Sequence, residues 1–184
     1  MEKVADRERL VAALRARGVD WLAPGDALGE PVDDEQLIGS LAAHEDARLR
    51  AALTGLFILR PALAATVRAV ADLLDGEARS ELMARYMAAV YLQHLWRTRL
   101  GLYLGQFDYL TDLFSEELGL PGAGEGFGKV GLQALADWHG SLSKTLYNRL
   151  SEYGQKSLKQ NPKKFAENFR ALEALWREQR GGLS

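Results

Sequence analysis

The residues best suited to bind a charged partner are basic and lie mostly toward the C-terminal end of the chain. Six of the seven lysines follow Gly128, and residues 141–184 carry nine basic and four acidic side chains. Helical spacing places several of these on one face. Two further arginines project from the central predicted helix. The predicted contact residues are Arg97, Arg99, Arg149, Lys156, Lys159, Lys163, Lys164 and Arg170.

This basic face has two interpretations. Lysine and arginine side chains that neutralise phosphates bind RNA or DNA backbone in a salt-dependent way. The simpler alternative is a solvated polar face, because the whole chain is acidic, with a net charge of −2 and a pI near 6.0. Dedicated nucleic-acid-binding domains usually have a pI above about 9.

A glycine-rich stretch, "PGAGEGFGKVG" at residues 121–131, has the composition of a phosphate-binding loop. The Walker pattern needs a glycine where Ala123 stands and Ser or Thr where Val130 stands. The dinucleotide pattern fails at Phe127, and no strand is predicted before any of these motifs. The sequence therefore favours a flexible connector, with a joint at 121–128.

Other groups that could perform catalysis have unsuitable spacing. His44, His94 and His139 are far apart and lack paired metal-ligand spacing, so capping or boundary roles are the simpler interpretation. A cationic His139 ring would suit the end of a helix. "DWHGSLS" places Asp137, His139, Ser141 and Ser143 close in sequence, but Asp137 and His139 point to different sides of a helix.

Three carboxylates offer one weak alternative. Asp108, Asp112 and Glu116 recur every four residues and could hold magnesium if they shared a helical face. Thr111 is the predicted start of that helix, which would leave Asp108 out of line. A solvated acidic surface is the more common arrangement. No cofactor and no metal are therefore predicted.

The pattern of apolar residues is helical throughout. Asp33 and Asp46 are predicted N-caps, and Pro61 is a suitable first residue for a helix. The longest predicted helix covers residues 77–104, and its middle, "MAAVYLQHLW", is apolar on nearly every side, as expected of a central helix. We expect an all-α globular bundle of about seven or eight helices. It would form one domain over 1–184, with the joint at 121–128 followed by a basic helical segment at 141–180.

Composition narrows the classes of function. The chain has 184 residues and no cysteine, which excludes disulfides and thiolate chemistry. The most apolar run, residues 51–59, is much shorter than the ~20 residues of a membrane span. The charged N-terminus lacks the apolar core of a secretory signal. A cytoplasmic protein without membrane contact is expected.

Three stretches of the chain resemble known proteins: "HEDARLRAALTGLFILRPALAATV", "YMAAVYLQHLWRTRL" and "LTDLFSEELGLP". Over residues 40–150 the chain resembles a group of uncharacterised all-helical bacterial proteins that accompany nucleotidyltransferase genes. The resemblance implies a helical partner of a nucleotide-handling enzyme and carries no catalytic motif. It does not extend to the lysine-rich end of the chain.

Together these observations predict a non-catalytic helical interaction subunit of a larger bacterial assembly, with another protein subunit as its partner. The first alternative is a small helical subunit that binds RNA or DNA backbone through the basic C-terminal face. The second is a magnesium-dependent enzyme that uses Asp108, Asp112 and Glu116.

Overall fold

The computed structural model describes residues 2–22 and 32–139, with side chains from Asp6 onward. All of these residues belong to one compact unit, Met1–Gly140. The described residues form eight α-helices and two short 3-10 turns, and they contain no strand. The α-helices are α1 Glu2–Ala16, α2 Asp34–Ala43, α3 Ala47–Leu59, α4 Ala64–Leu73, α5 Gly76–Leu95, α6 Arg97–Leu104, α7 Ser115–Leu118 and α8 Lys129–Trp138; the 3-10 turns are Pro61–Leu63 and Glu125–Gly128.

The ends of the early helices follow the local sequence signals. The Asp33 carboxylate accepts a hydrogen bond from the Gln36 N–H, and the Asp46 carboxylate accepts one from the Arg48 N–H. Each satisfies an amide that the first helical turn leaves unpaired. Gly18 follows α1 with φ of +91°, a conformation that glycine adopts without steric cost. The predicted N-caps at Asp33 and Asp46 are confirmed.

The core forms around α5. Every residue from Glu81 to Gln93 is buried, because α2, α3 and α8 pack on different sides of this helix. Phe57 and Phe114 complete the aromatic part of the core: each makes an edge-to-face contact with Tyr86, at centroid distances of 5.2 and 5.6 Å. The predicted all-α bundle with a long central helix is confirmed.

The central helix is shorter than predicted. It ends at Leu95, and Trp96, with φ −105° and ψ 17°, separates it from α6. No residue of α6 is buried, so packing does not hold these eight residues in line with α5. The helix predicted to start at Thr111 is also shorter, because Asp112 accepts the Ser115 N–H and the helix begins at Ser115.

The apolar residues of α8 divide between the core and the surface. Leu132 and Leu135 are buried against α5, whereas Val130 and Trp138 are 48% and 41% exposed. Ala134 is half-buried, so Leu132 and Leu135 form the apolar core face of α8.

Among the described helices, none is by itself long and apolar enough to cross a membrane. Ala47–Leu59 and Pro61–Leu73 reach that length and apolar composition only as a pair, and the pair is bent by 108°. Seven residues of α3 are buried in the protein core.

Candidate interaction surface

The C-terminal end of α5 holds the glycine-rich segment in place. The Tyr91 hydroxyl donates a 2.7 Å hydrogen bond to the Pro121 carbonyl. Gly128 lies against the backbone carbonyl of Tyr91, and Gly131 lies against its ring, so a Cβ at either glycine would overlap those atoms. The glycines at 128 and 131 therefore permit a close approach of two chain segments, for which the sequence suggested only a connector. The role of 121–128 as a joint before 141–180 stays a prediction, since that segment lies outside the described residues.

The same end of α5 also holds the loop that follows α6. Gln93 is fully buried; its side-chain oxygen accepts the Leu110 N–H at 2.7 Å, and its nitrogen donates to the Asp108 carbonyl at 3.4 Å. These two bonds fix the backbone on both sides of Tyr109. The Tyr109 ring then stacks on His94, with centroids 4.8 Å apart and planes 25° from parallel. Phe107 also contacts the Tyr109 ring, at a centroid distance of 5.2 Å.

Phe127 has the least favourable backbone conformation in the described chain. Its φ is +57°, and it is the single non-glycine residue with positive φ in the part of the chain that the structure describes. A bulky side chain in this left-handed region costs about 1–2 kcal/mol. The ring is nevertheless 60% exposed, so burial of apolar surface does not offset this cost. The Arg97 guanidinium carbon lies 4.6 Å from the ring centroid, a cation–π distance.

These contacts form one continuous patch. We call His94, Arg97, Phe107, Tyr109 and Phe127 the Phe127 surface. His94 joins its two halves, because it stacks on Tyr109 on one side and its Cβ faces Gly128 on the other. Burial, and then the Arg97 charge, lowers the pKa of His94, so the neutral ring is favoured. Exposed ring faces beside a guanidinium are typical of binding surfaces.

A second cluster of polar side chains lies where α3, α5 and the end of α8 meet. We call Arg50, Glu81, Arg85 and His139 the Glu81 cluster. One Glu81 oxygen accepts Arg50 Nε at 3.1 Å and Arg85 Nε at 2.8 Å, and the other oxygen lies 3.4 Å from His139 Nε2. Arg50 also donates to the carbonyls of His44 and Glu45, and the Thr54 hydroxyl donates to the Arg85 carbonyl. The cluster therefore ties α3, α5 and the end of α8 together.

Burial decides the chemistry of this cluster. Glu81 and Arg85 are 4% and 2% exposed. Desolvation lowers the pKa of Arg85, and the adjacent Glu81 carboxylate partly opposes that shift. Desolvation also lowers the pKa of His139, which favours the neutral ring, although the Glu81 carboxylate opposes that shift. A carboxylate that already neutralises two guanidinium groups is poorly suited to act as a general base.

The predicted contact residues have different outcomes. Arg97 lies in the Phe127 surface, and Arg99 is exposed on the same helix. The other six lie outside the described residues and stay predictions: Arg149, Lys156, Lys159, Lys163, Lys164 and Arg170.

The other candidate groups have local structural roles. His44 Nδ1 accepts the Asp46 N–H at the junction of α2 and α3. Asp112 accepts the Ser115 N–H at the start of α7, whereas Asp108 and Glu116 are exposed. Over residues 2–22 and 32–139, no group of three or more His, Cys, Asp or Glu side chains could hold a metal ion. The serines of "DWHGSLS", Ser141 and Ser143, lie outside these ranges.

Sequence reasoning missed the residues that build the surface. Tyr91 and Gln93 lie in an apolar helical stretch and read as ordinary core residues, although their polar groups position two loops. Phe127 followed a glycine in a stretch interpreted as a connector. The available signal was an aromatic residue between two glycines, Gly126 and Gly128, which places a large side chain where the backbone turns most sharply.

Comparison of this chain with protein-family models, curated proteins and solved structures finds no match. The resemblance to helical proteins that accompany nucleotidyltransferases therefore stays a prediction.

Proposed function

We propose that this protein is a non-catalytic interaction subunit of a larger cytoplasmic bacterial assembly, and that it binds a protein partner through the Phe127 surface. An assembly that handles nucleotides or nucleic acid is the setting that the sequence resemblance implies.

The observation that carries the proposal is the exposed Phe127 ring on a left-handed backbone. Glycine at this position would avoid the steric cost, and a polar residue would avoid exposing a ring to water. Strained conformations often occur where a side chain must be presented to a ligand. The buried anchors at Tyr91 and Gln93 support this interpretation, since they hold the rings in a fixed arrangement before any partner arrives.

A photo-crosslinking amino acid, benzoylphenylalanine, tests the proposal when it replaces Tyr103, an exposed residue of α6, the helix that also carries Arg97. We expect it to form a discrete adduct with a second protein in cells. The matched control carries the same group in place of Leu73, which is 81% exposed on α4, and should not form that adduct.

Phe127→Gly then links the adduct to the surface. This substitution removes the ring and relieves the left-handed strain, while it loses a cation–π contact, so stability should change by less than about 1 kcal/mol. The Tyr103 adduct should decrease at least about tenfold, as expected for loss of a central aromatic contact. An adduct of equal yield in Phe127→Gly, or none from Tyr103, would contradict the proposed function.

A further inference from the structure

Two arginines of the described residues lie over phenylalanine rings, and they differ in one respect. Arg68 lies 4.6 Å from the Phe114 centroid, and Arg97 lies 4.6 Å from the Phe127 centroid. Arg68 Nη1 also donates to the Glu117 carboxylate at 2.8 Å, and its Nη2 donates to the Leu113 carbonyl at 2.7 Å. Within residues 32–139, Arg97 pairs with no carboxylate.

The Arg68 site shows what a complete arrangement of this kind looks like. A ring covers one face of the guanidinium and leaves the N–H donors along its edge to bind a planar anion. At Arg68 the chain itself supplies that anion, and Phe114 is fully buried. At Arg97 the ring is present and exposed, and the anion is missing from the described chain.

The charges around Arg97 indicate which kind of anion fits. Residues 105–140 carry six acidic and one basic side chain. Asp108 and Glu125, which neighbour Tyr109 and Phe127, are both exposed. A nucleic-acid strand would bring many phosphates against these carboxylates, whereas a single protein carboxylate needs only the Arg97 donors. The exposed rings of Tyr109 and Phe127 favour an apolar side chain beside that carboxylate.

We propose that the Phe127 surface binds a protein segment that places an Asp or Glu carboxylate against Arg97 and an apolar side chain against Phe127 or Tyr109. The proposal rests on the proposed function and specifies the chemistry of the partner. The partner's carboxylate would take the place at Arg97 that Glu117 occupies at Arg68.

A displayed library of random dodecapeptides, selected on the full-length protein, tests this inference. We expect the enriched peptides to carry Asp or Glu next to an aromatic or large aliphatic residue. A synthetic copy of the strongest peptide should bind about 10- to 100-fold more weakly to Arg97→Gln, as measured by fluorescence anisotropy. Replacement of the peptide carboxylate by its amide should weaken binding equally, and combining both changes should add little. Arg48→Gln, which changes an exposed arginine of α3, is the matched control and should leave affinity unchanged.

Four results would overturn the inference. The first is that no peptide is enriched, and the second is that the enriched peptides lack a carboxylate. The third is that a single-stranded oligonucleotide such as (dT)20 binds and the Arg97→Gln variant loses that binding. The fourth is that the affinity of the peptides depends on Phe127 but not on Arg97. This result would refute the contact between a partner carboxylate and Arg97 but not the proposed function. Failure of the crosslink from Tyr103, in contrast, would refute the proposed function itself.

Discussion

Arg85 and Arg97 lie on consecutive helices, and their surroundings are opposite. Arg85 is buried in the Glu81 cluster, where a carboxylate on its own helix pairs with it. Arg97 is exposed in the Phe127 surface, where a ring lies beside it and no carboxylate of the described residues pairs with it. The buried arginine joins helices to one another, and the exposed one is available to a second molecule.

The difference follows from the cost of desolvating a charge. A buried guanidinium without a carboxylate is strongly destabilising, so the chain must supply the partner for Arg85 from within. An exposed guanidinium is solvated by water and can stay unpaired without that penalty. We therefore expect changes in the Glu81 cluster to alter folding, and changes in the Phe127 surface to alter binding with little effect on folding.

The largest expected effect is the loss of the buried carboxylate. Glu81→Gln leaves the buried Arg85 and the half-buried Arg50 without a neutralising partner, and should lower the free energy of unfolding by about 3–5 kcal/mol. Urea unfolding followed by circular dichroism measures the change. Asp72→Asn, at an exposed position on α4, should change it by less than about 0.5 kcal/mol. Equal values for the two variants would show that the cluster does not hold α3, α5 and α8 together.

A smaller effect is expected where the Phe127 surface is anchored to the core. Gly128→Ala places a Cβ against the Tyr91 carbonyl at a residue whose φ is +81°. Overpacking and left-handed strain together should lower the free energy of unfolding by roughly 2–4 kcal/mol. Gly101→Ala is the control, because it lies in α6 with nothing within 4 Å of an added Cβ, and it should raise helix stability by up to ~1 kcal/mol. A Gly128→Ala variant as stable as Gly101→Ala would mean that the contact with Tyr91 is not required.

The smallest expected effect is on pH dependence. Burial lowers the pKa of His139 in the folded protein, although the Glu81 carboxylate partly opposes it, and Arg85 and Glu77 are the other charged groups near the ring. The unfolded chain therefore binds a proton at higher pH than the folded chain, and stability should fall as the pH decreases through the ordinary histidine range near ~6.5. His139→Gln should remove part of that slope in urea unfolding measured between pH ~7.5 and ~5.5.

His94 provides the comparison for this measurement. Its pKa is also lowered by burial, so His94→Gln should remove a separate part of the slope. If the slope is unchanged in His139→Gln, the buried ring does not titrate differently from one in the unfolded chain.

The features that could be predicted from the sequence are those set by local chemistry. Asp33 and Asp46 satisfy amides within three residues of themselves, and Gly18 ends α1 through its own φ angle. The apolar stretch around Met87 predicts a central helix because no polar face remains to meet water. The sequence predicts the end of that helix too far along the chain, because helical propensity continues past Trp96 whereas burial ends at Gln93.

The sequence by itself determined that this protein is an all-α bundle with a central helix, because capping, glycine positions and apolar periodicity act over a few residues. Tertiary structure alone decided which polar residues matter. Glu81, Arg85 and Gln93 lie on one helix with similar sequence surroundings, and their roles depend on what α3, α8 and the loop at 105–114 bring against them. Phe127 gained its exposed position in the same way, through the contact of Gly128 with Tyr91, which joins segments 37 residues apart.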